Sequence, residues 1–271
     1  MKQIRPAAVA GSFYTGQAEP LAGEIASMLA DAARRLEKPA TLPKAVIVPH
    51  AGHIYSGPVA ASAYALLQQG RDVYRRVVLL GPVHRVPVRG LALPDAEGFA
   101  TPLGVVPLDL EAMARIADLP QVVRFDQAHA WEHSLEVQLP FLQTVLDDFK
   151  LVPLAVGDAT PQEVAEVLER LWGGPETLIV ISSDLSHFLP YRDAQRADGG
   201  TVRAILALRG PLNHQQACGG TPVNGLLVAA RNHRLKPLLL DLRNSGDTAG
   251  DKSRVVGYAA FAFTEEPNDD H

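Results

Sequence analysis

Three short runs of β-branched and leucine residues, each broken at a proline or serine and followed by a histidine or aspartate, constrain this chain most. They read VIVPHAG around His50, LLGPVHR around His84 and IVISSDLSH around Asp184 and His187. Each run reads as a buried strand. In an open α/β sheet, ligands and catalytic groups gather just beyond the carboxyl ends of the strands. Three strands that each deliver imidazole to that edge predict one metal or proton-transfer site assembled from distant segments. Cys218, in ACGGTP, is the fourth position of this kind.

Strand and helix patterns alternate along the whole chain. Helices are expected over 17–37, Pro58–Gln69 (ended by Gly70 as a C′ residue), Leu108–Leu119, Val202–Leu208 and from Thr221-Pro222 to about His233. Glu132–Leu146 has Leu135, Leu139, Leu142 and Leu146 at three- and four-residue spacing and predicts a long amphipathic helix. Thr160-Pro161-Gln162-Glu163 has the pattern of a capping box with proline at the first helical position. Strands are expected at Ala45–Pro49, Val77–Leu80, Val88–Leu93, Leu151–Val156, Thr177–Ile181, Leu238–Leu242 and Val255–Phe263. The last two have no helix between them, so part of the sheet should be antiparallel. Gly199-Gly200 reads as a break between helices, and 244–251 as a glycine-rich loop. The alternation predicts a three-layer α/β/α fold with a mixed central sheet, as a single domain over 1–271 with a polar tail at 264–271. Composition agrees: 271 residues at 47% hydrophobic content can bury one large core.

Several function classes are disfavoured. The net charge of −5 comes without clustered Lys or Arg, so no nucleic-acid footprint is expected. No stretch reaches the roughly 18 uncharged apolar residues of a membrane span, so no membrane association is expected. The segment MKQIRPAAVAGSFY lacks the apolar core of a signal peptide, and one cysteine permits no internal disulfide; both fit a cytoplasmic protein. There is no GxGxxG or GxxxxGK[ST] phosphate loop and no GxSxG elbow.

Each candidate residue has a plainer reading beside the chemical one. His50 would otherwise be a strand-end histidine bonded to backbone, with Gly52 allowing close approach and His53 pointing either into the pocket or away. His84 repeats the strand–Gly-Pro–histidine arrangement, and imidazole is a common transition-metal ligand. Asp184 could orient His187, ligate metal itself or cap a helix. His187 has the chemistry of a general acid or base. His133 and Glu136 would share a face of the expected helix as a His-x-x-Glu pair, while Glu132 suits the helix dipole; His129 is a weaker candidate. Cys218, just before a helix N-terminus, would have a lowered pKa as ligand or nucleophile, or else be buried and inert. His271, in the polar tail, is not a candidate.

RPAAVAGSFY (5–14), VPHAGHIYSGPVAASAY (48–64), LLGPVHRVPVRGLAL (79–93), ATPLG (100–104), EHSLEVQLPFLQ (132–143), SSDLSHF (182–188) and CGGTPVNGLL (218–227) together resemble the Memo family, in order and over nearly the whole chain. The resemblance implies a fold like that of the LigB-type class III extradiol dioxygenases, which hold non-haem iron with two histidines and a glutamate. It implies that His50 and His84 match the histidine ligands and that Cys218 stands where the dioxygenases have glutamate. It also implies that His187 is the acid–base residue, with Asp184 beside it, and that His133 lies in the pocket. The implied cofactor is a mononuclear transition metal, iron or copper first and zinc next, serving an oxidoreductase that acts on a small aromatic or redox substrate. A non-catalytic scaffold binding a peptide or protein is the alternative. Relatives are often grouped with an AMMECR1-like protein and a radical SAM protein, which would be pathway partners. The segment ALRGPLNHQQACGG is short, and a truncated helix there is one way Cys218 would be drawn out of the site.

Overall fold

A computed structural model of the chain describes residues 3–36 and 41–265. His271, most of the expected tail and the last residue of the expected 17–37 helix lie outside the described residues. Four parallel strands form the middle of a nine-stranded sheet, in the spatial order Ala45–Val48, Thr177–Ser182, Arg76–Pro82, Lys150–Val156. Nearly all of their residues are buried, as strands covered on both faces must be. Antiparallel strands flank them. Val255–Thr264 pairs with Ala45–Val48 and with Lys236–Asn244, and Leu91–Leu93 pairs with Lys150–Val156. The two closing strands thus make the antiparallel part of the sheet that their lack of a connecting helix predicts. The short strands His187–Leu189 and Val122–Arg124 end the sheet on either side.

Helices flank the sheet, giving the expected α/β/α layering. Ala18–Ala33 buries Leu21, Ile25, Leu29 and Ala32, a stripe at helical spacing, and packs against the helix His53–Leu67. Pro161–Leu171 opens with the predicted capping box: Thr160 Oγ1 accepts from Glu163 N at 3.2 Å and Thr160 N donates to the Glu163 carboxylate at 2.7 Å. That helix packs against Gly220–Asn232.

Five expectations are corrected. The helix read from Pro58 begins at His53, so Pro58 lies inside it and Gly52 is its N-cap. Pro58 is the sixth residue of that helix, past its first turn, so its missing N–H leaves out one bond to the preceding turn. Gly70 ends that region in a 3-10 turn rather than at a left-handed C′ position. Gly199-Gly200 lies within one helix, Tyr191–Leu206. Residues Ser245–Thr248 form a single helical turn capped by Asn244 rather than an open loop. The expected Glu132–Leu146 helix is broken: Gln127–Ala130 is helical, 131–135 is irregular, and helix resumes through Glu136–Gln138 into Leu139–Val145.

Candidate metal centre

All four central strands run in one direction, so their carboxyl ends share one edge. Val48 leads to His50, Pro82 to His84, Ser182 to Asp184 and Val156 to Asp158. One donor atom from each of His50, His84 and Cys218 lies within 4.8 Å of the others. Two further groups obey the same limit, His84 with Glu132 and His133, and Asp184 with His187 and Cys218. His50 Nε2 and Cys218 Sγ are 3.3 Å apart. Two donors held at 2.0–2.3 Å by one tetrahedral ion stand about 3.5 Å from each other. The donor set and its spacing therefore fit a transition metal.

Hydrogen bonds around His50 decide which of its nitrogens is free. Pro49 O can only accept, so the Gln138 amide nitrogen must donate to it, at 2.9 Å. The same nitrogen donates to Ser182 Oγ at 2.9 Å. The Ser182 hydroxyl has one proton, and it goes to Ser134 O at 2.6 Å. Toward His50 Nδ1, 2.9 Å away, Ser182 Oγ must then accept. His50 is left protonated on Nδ1 with a bare Nε2 facing Cys218. Its backbone N–H donates to Asp184 Oδ1 at 2.7 Å. Burial first, then the neighbouring His84, His133 and His187, hold the His50 pKa well below its ordinary value, so the ring is neutral.

His84 is fixed by Glu132. The carboxylate accepts from His84 Nδ1 at 2.8 Å and from three backbone N–H groups, those of His84 at 2.6 Å, His133 at 2.9 Å and Ser134 at 2.9 Å. Burial alone would raise the Glu132 pKa; the bonds from His84 and the backbone overcome it and hold the carboxyl at about 2. A histidine whose second nitrogen donates to a carboxylate is the usual outer support of a metal ligand. Sequence reasoning gave Glu132 only a helix-dipole role, and there is no helix at that position. His133 stacks on His84, with ring centroids 4.5 Å apart, and touches Phe13 at 4.5 Å. Burial, then His84, lower its pKa to about 4. Its expected helical partner Glu136 points elsewhere: it pairs with Arg5 at 2.6 Å and accepts from Ala8 N, Val9 N and the Tyr14 hydroxyl.

Cys218 reaches the edge despite the short segment before it. Its N–H donates to Asp184 O at 3.2 Å, and Asp184 N donates to its sulfur at 3.3 Å. The lowered thiol pKa expected from the nearby helix start is not found. Burial, with Asp184 adding to it, pushes the thiol up to about 12. A bound cation reverses that balance, because a ligating thiol loses its proton. Burial also raises Asp184 to about 6, against the N–H donors of His50 and Ala51. Asp184 caps no helix. It does not orient His187 by a hydrogen bond either: His187 Nδ1 donates to Leu185 O at 2.9 Å, leaving Nε2 open. His53 and His129 stand outside these three groups, each bonded through Nε2 to a backbone carbonyl, Val137 O and Ala92 O respectively. His214, not singled out in the sequence although it is four residues before Cys218, lines the same cleft and contacts Cys218 O through Nδ1 at 3.3 Å.

A family model described as "Memo-like protein" matches residues 5–262. A "MEMO1 family protein" of Aquifex aeolicus is 37% identical over 275 residues, covering 96% of this chain and 99% of the relative. Another from Ignicoccus hospitalis is 38% identical over 285 residues, covering 96% and 98%. The crystal structure of uncharacterized protein JW3007 from Escherichia coli K12 aligns with a TM-score of 0.46 at 15% identity, covering 81% of this chain and 99% of that one.

Proposed function

The chain belongs to the Memo-like family, and from that premise we propose that it is a metal-dependent oxidoreductase acting on a small aromatic or redox substrate. His50, His84 and Cys218 would hold the ion. The observation that carries the reading is the convergence of these three donors within 4.8 Å at the carboxyl edge of the sheet. A redox-active ion there would supply electron transfer and open positions for substrate. The two-imidazole, one-thiolate set is softer than two imidazoles and a carboxylate, which favours copper, iron or zinc over harder ions.

The chain's own residues would do the rest. Ser182 and Glu132 hold the rings of His50 and His84 through Nδ1, which would leave Nε2 of each to the ion. His187, with Nδ1 committed to Leu185 O, would take or give a proton at Nε2. Asp184, raised to about 6, would share proton transfer with His187, and His133, neutral at pH 7, would shape the pocket beside His84. A place beside AMMECR1-like and radical SAM proteins, in the cytoplasm, belongs to the same proposal.

Elemental analysis of protein purified without chelator tests it. About one transition-metal ion per chain is expected, with His50→Ala losing it. Ser182→Ala should weaken metal affinity by roughly 10–100-fold, as loss of an outer support does. Wild-type protein that takes up no iron, copper or zinc, even on anaerobic reconstitution, would overturn the reading.

A further inference from the structure

Ser134 lies between the groups that support His50 and His84, buried and with no reactive chemistry of its own. Each of its polar groups serves one of those supports. Its carbonyl accepts the Ser182 hydroxyl proton at 2.6 Å, and Ser182 Oγ accepts from His50 Nδ1. Its N–H donates to Glu132 Oε1 at 2.9 Å, the same oxygen that accepts from His84 Nδ1 at 2.8 Å. Its hydroxyl donates to Pro82 O at 2.8 Å, at the end of the strand that leads to His84. A path of hydrogen bonds therefore runs from one ring to the other through the backbone and side chain of one residue.

The far end of this path is anchored in the core. Gln138 donates to Pro49 O and Ser182 Oγ, each at 2.9 Å, and its carbonyl accepts from the Tyr64 hydroxyl at 2.8 Å. Tyr64 stacks on Phe141 with ring centroids 4.9 Å apart. Gly81 makes the room for Ser134: a Cβ there would stand 2.8 Å from Ser134 Oγ and 3.1 Å from Ser134 Cβ. Glu132, Ser134, Gln138, Ser182 and Tyr64 are all buried. A buried network whose members all find partners is rigid, whereas losing one member leaves its neighbours unpaired where solvent is shut out.

We infer that Ser134 is a positioning residue that joins the supports of His50 and His84 into one hydrogen-bonded unit, so that the two imidazoles are held relative to each other and not each by its own strand alone. Its consequence for metal affinity rests on the reading of both histidines as ligands, but the coupling itself is a property of the metal-free chain.

Proton exchange at the two Nδ1 positions tests the coupling without metal, by NMR of the full chain labelled with 15N-histidine. Ser134→Ala removes only the hydroxyl and should speed exchange at both rings by roughly fivefold or more, as loss of one buried hydrogen bond does. Thr144→Ala is the control. It removes a comparable hydroxyl bond, to Pro140 O at 2.8 Å, outside the network, and should change neither ring. Zinc affinity, measured by competition with a chromogenic chelator, gives a second readout. Ser182→Ala and Glu132→Gln should each weaken zinc by roughly 10–100-fold. Independent supports would multiply, whereas a single unit makes the double variant at most about fivefold weaker than the worse single one. Exchange that quickens at one ring only or at neither, in a Ser134→Ala protein with native circular dichroism, would overturn the inference. So would a double variant weakened by the product of the single effects. Wild-type protein that binds no zinc sinks the metal proposal and leaves the exchange test to decide this one.

Discussion

Asp184 and Glu132 are buried carboxyl groups a few ångströms from the proposed ligands, and their surroundings push them in opposite directions. Glu132 collects four N–H donors and is held at about 2; it stabilises the fold above its unfolded value near 4.5, and that contribution is lost as pH falls through about 2. Asp184 is raised to about 6, so its contribution is full below the ordinary value of 3.8 and is lost as pH rises through about 6. In metal-free protein, Asp184→Asn should therefore gain roughly 2–3 kcal/mol at pH 7, at about 1.4 kcal/mol per unit, and nothing near pH 4. Urea unfolding of wild type and variant between pH 4 and 7 measures it, and an identical difference at both ends would contradict the raised value. His50, His84, His187 and Cys218 were legible in sequence because each sits against a strand end or a glycine pair. Glu132, Ser182 and Gln138 were not, because what they do depends on partners 44 to 89 positions away, such as His84, Ser182 and Pro49. His133 lies beside His84, as the family resemblance implies, while the helical pairing with Glu136 read from the spacing does not form.

At the scale of elements, the strands were read well and the helix boundaries less so. Burial on both faces writes an unbroken apolar run into the sequence, whereas leucine spacing at 135–146 survives an irregular start. At 132–134 a local alternative wins: the Glu132 side chain accepts from the next two backbone N–H groups, which is how polar side chains compete with a helix. Short strands such as Gly98–Thr101 and Gly104–Pro107 carry too few residues for a periodic signal. Glycine placement yields a test. A Cβ on Gly219 would lie 2.7 Å from Ser182 O and 2.7 Å from Ser183 Cβ, so the turn that carries Cys218 into the Gly220–Asn232 helix docks on the Ser182–Asp184 segment only without a side chain there. Gly23, in the exposed face of the Ala18–Ala33 helix, would meet nothing within 4 Å. Gly219→Ala should destabilise by roughly 1–3 kcal/mol through overpacking and lower metal affinity. Gly23→Ala should stabilise by about 0.5–1 kcal/mol with metal affinity unchanged. Denaturant midpoints and metal titrations of the two variants check both signs, and a Gly219→Ala protein as stable as wild type would show that the docking is not tight.

For the molecule as a whole, the three proposed ligands come from residues 50, 84 and 218 and meet only because strands remote in sequence are neighbours in one sheet. The Val255–Thr264 strand pairs with Ala45–Val48, so the closing part of the chain supports the strand that carries His50. A metal bound at that edge stabilises the native sheet and not the unfolded chain, where the ligands are far apart. At a hundredfold excess over Kd the linkage is worth about 2.7 kcal/mol. For a chain of this size, at about 2–4 °C per kcal/mol, that is a rise in Tm of roughly 5–10 °C. Zinc is the suitable probe because it brings no redox chemistry of its own. Scanning calorimetry with zinc and with chelator should show a single transition that moves upward as a unit, and His50→Ala should keep the single transition while losing the shift. Two transitions of which zinc moves only one would mean that the edge carrying His50, His84 and Cys218 unfolds apart from the rest, and the expectation of one domain would fall with it.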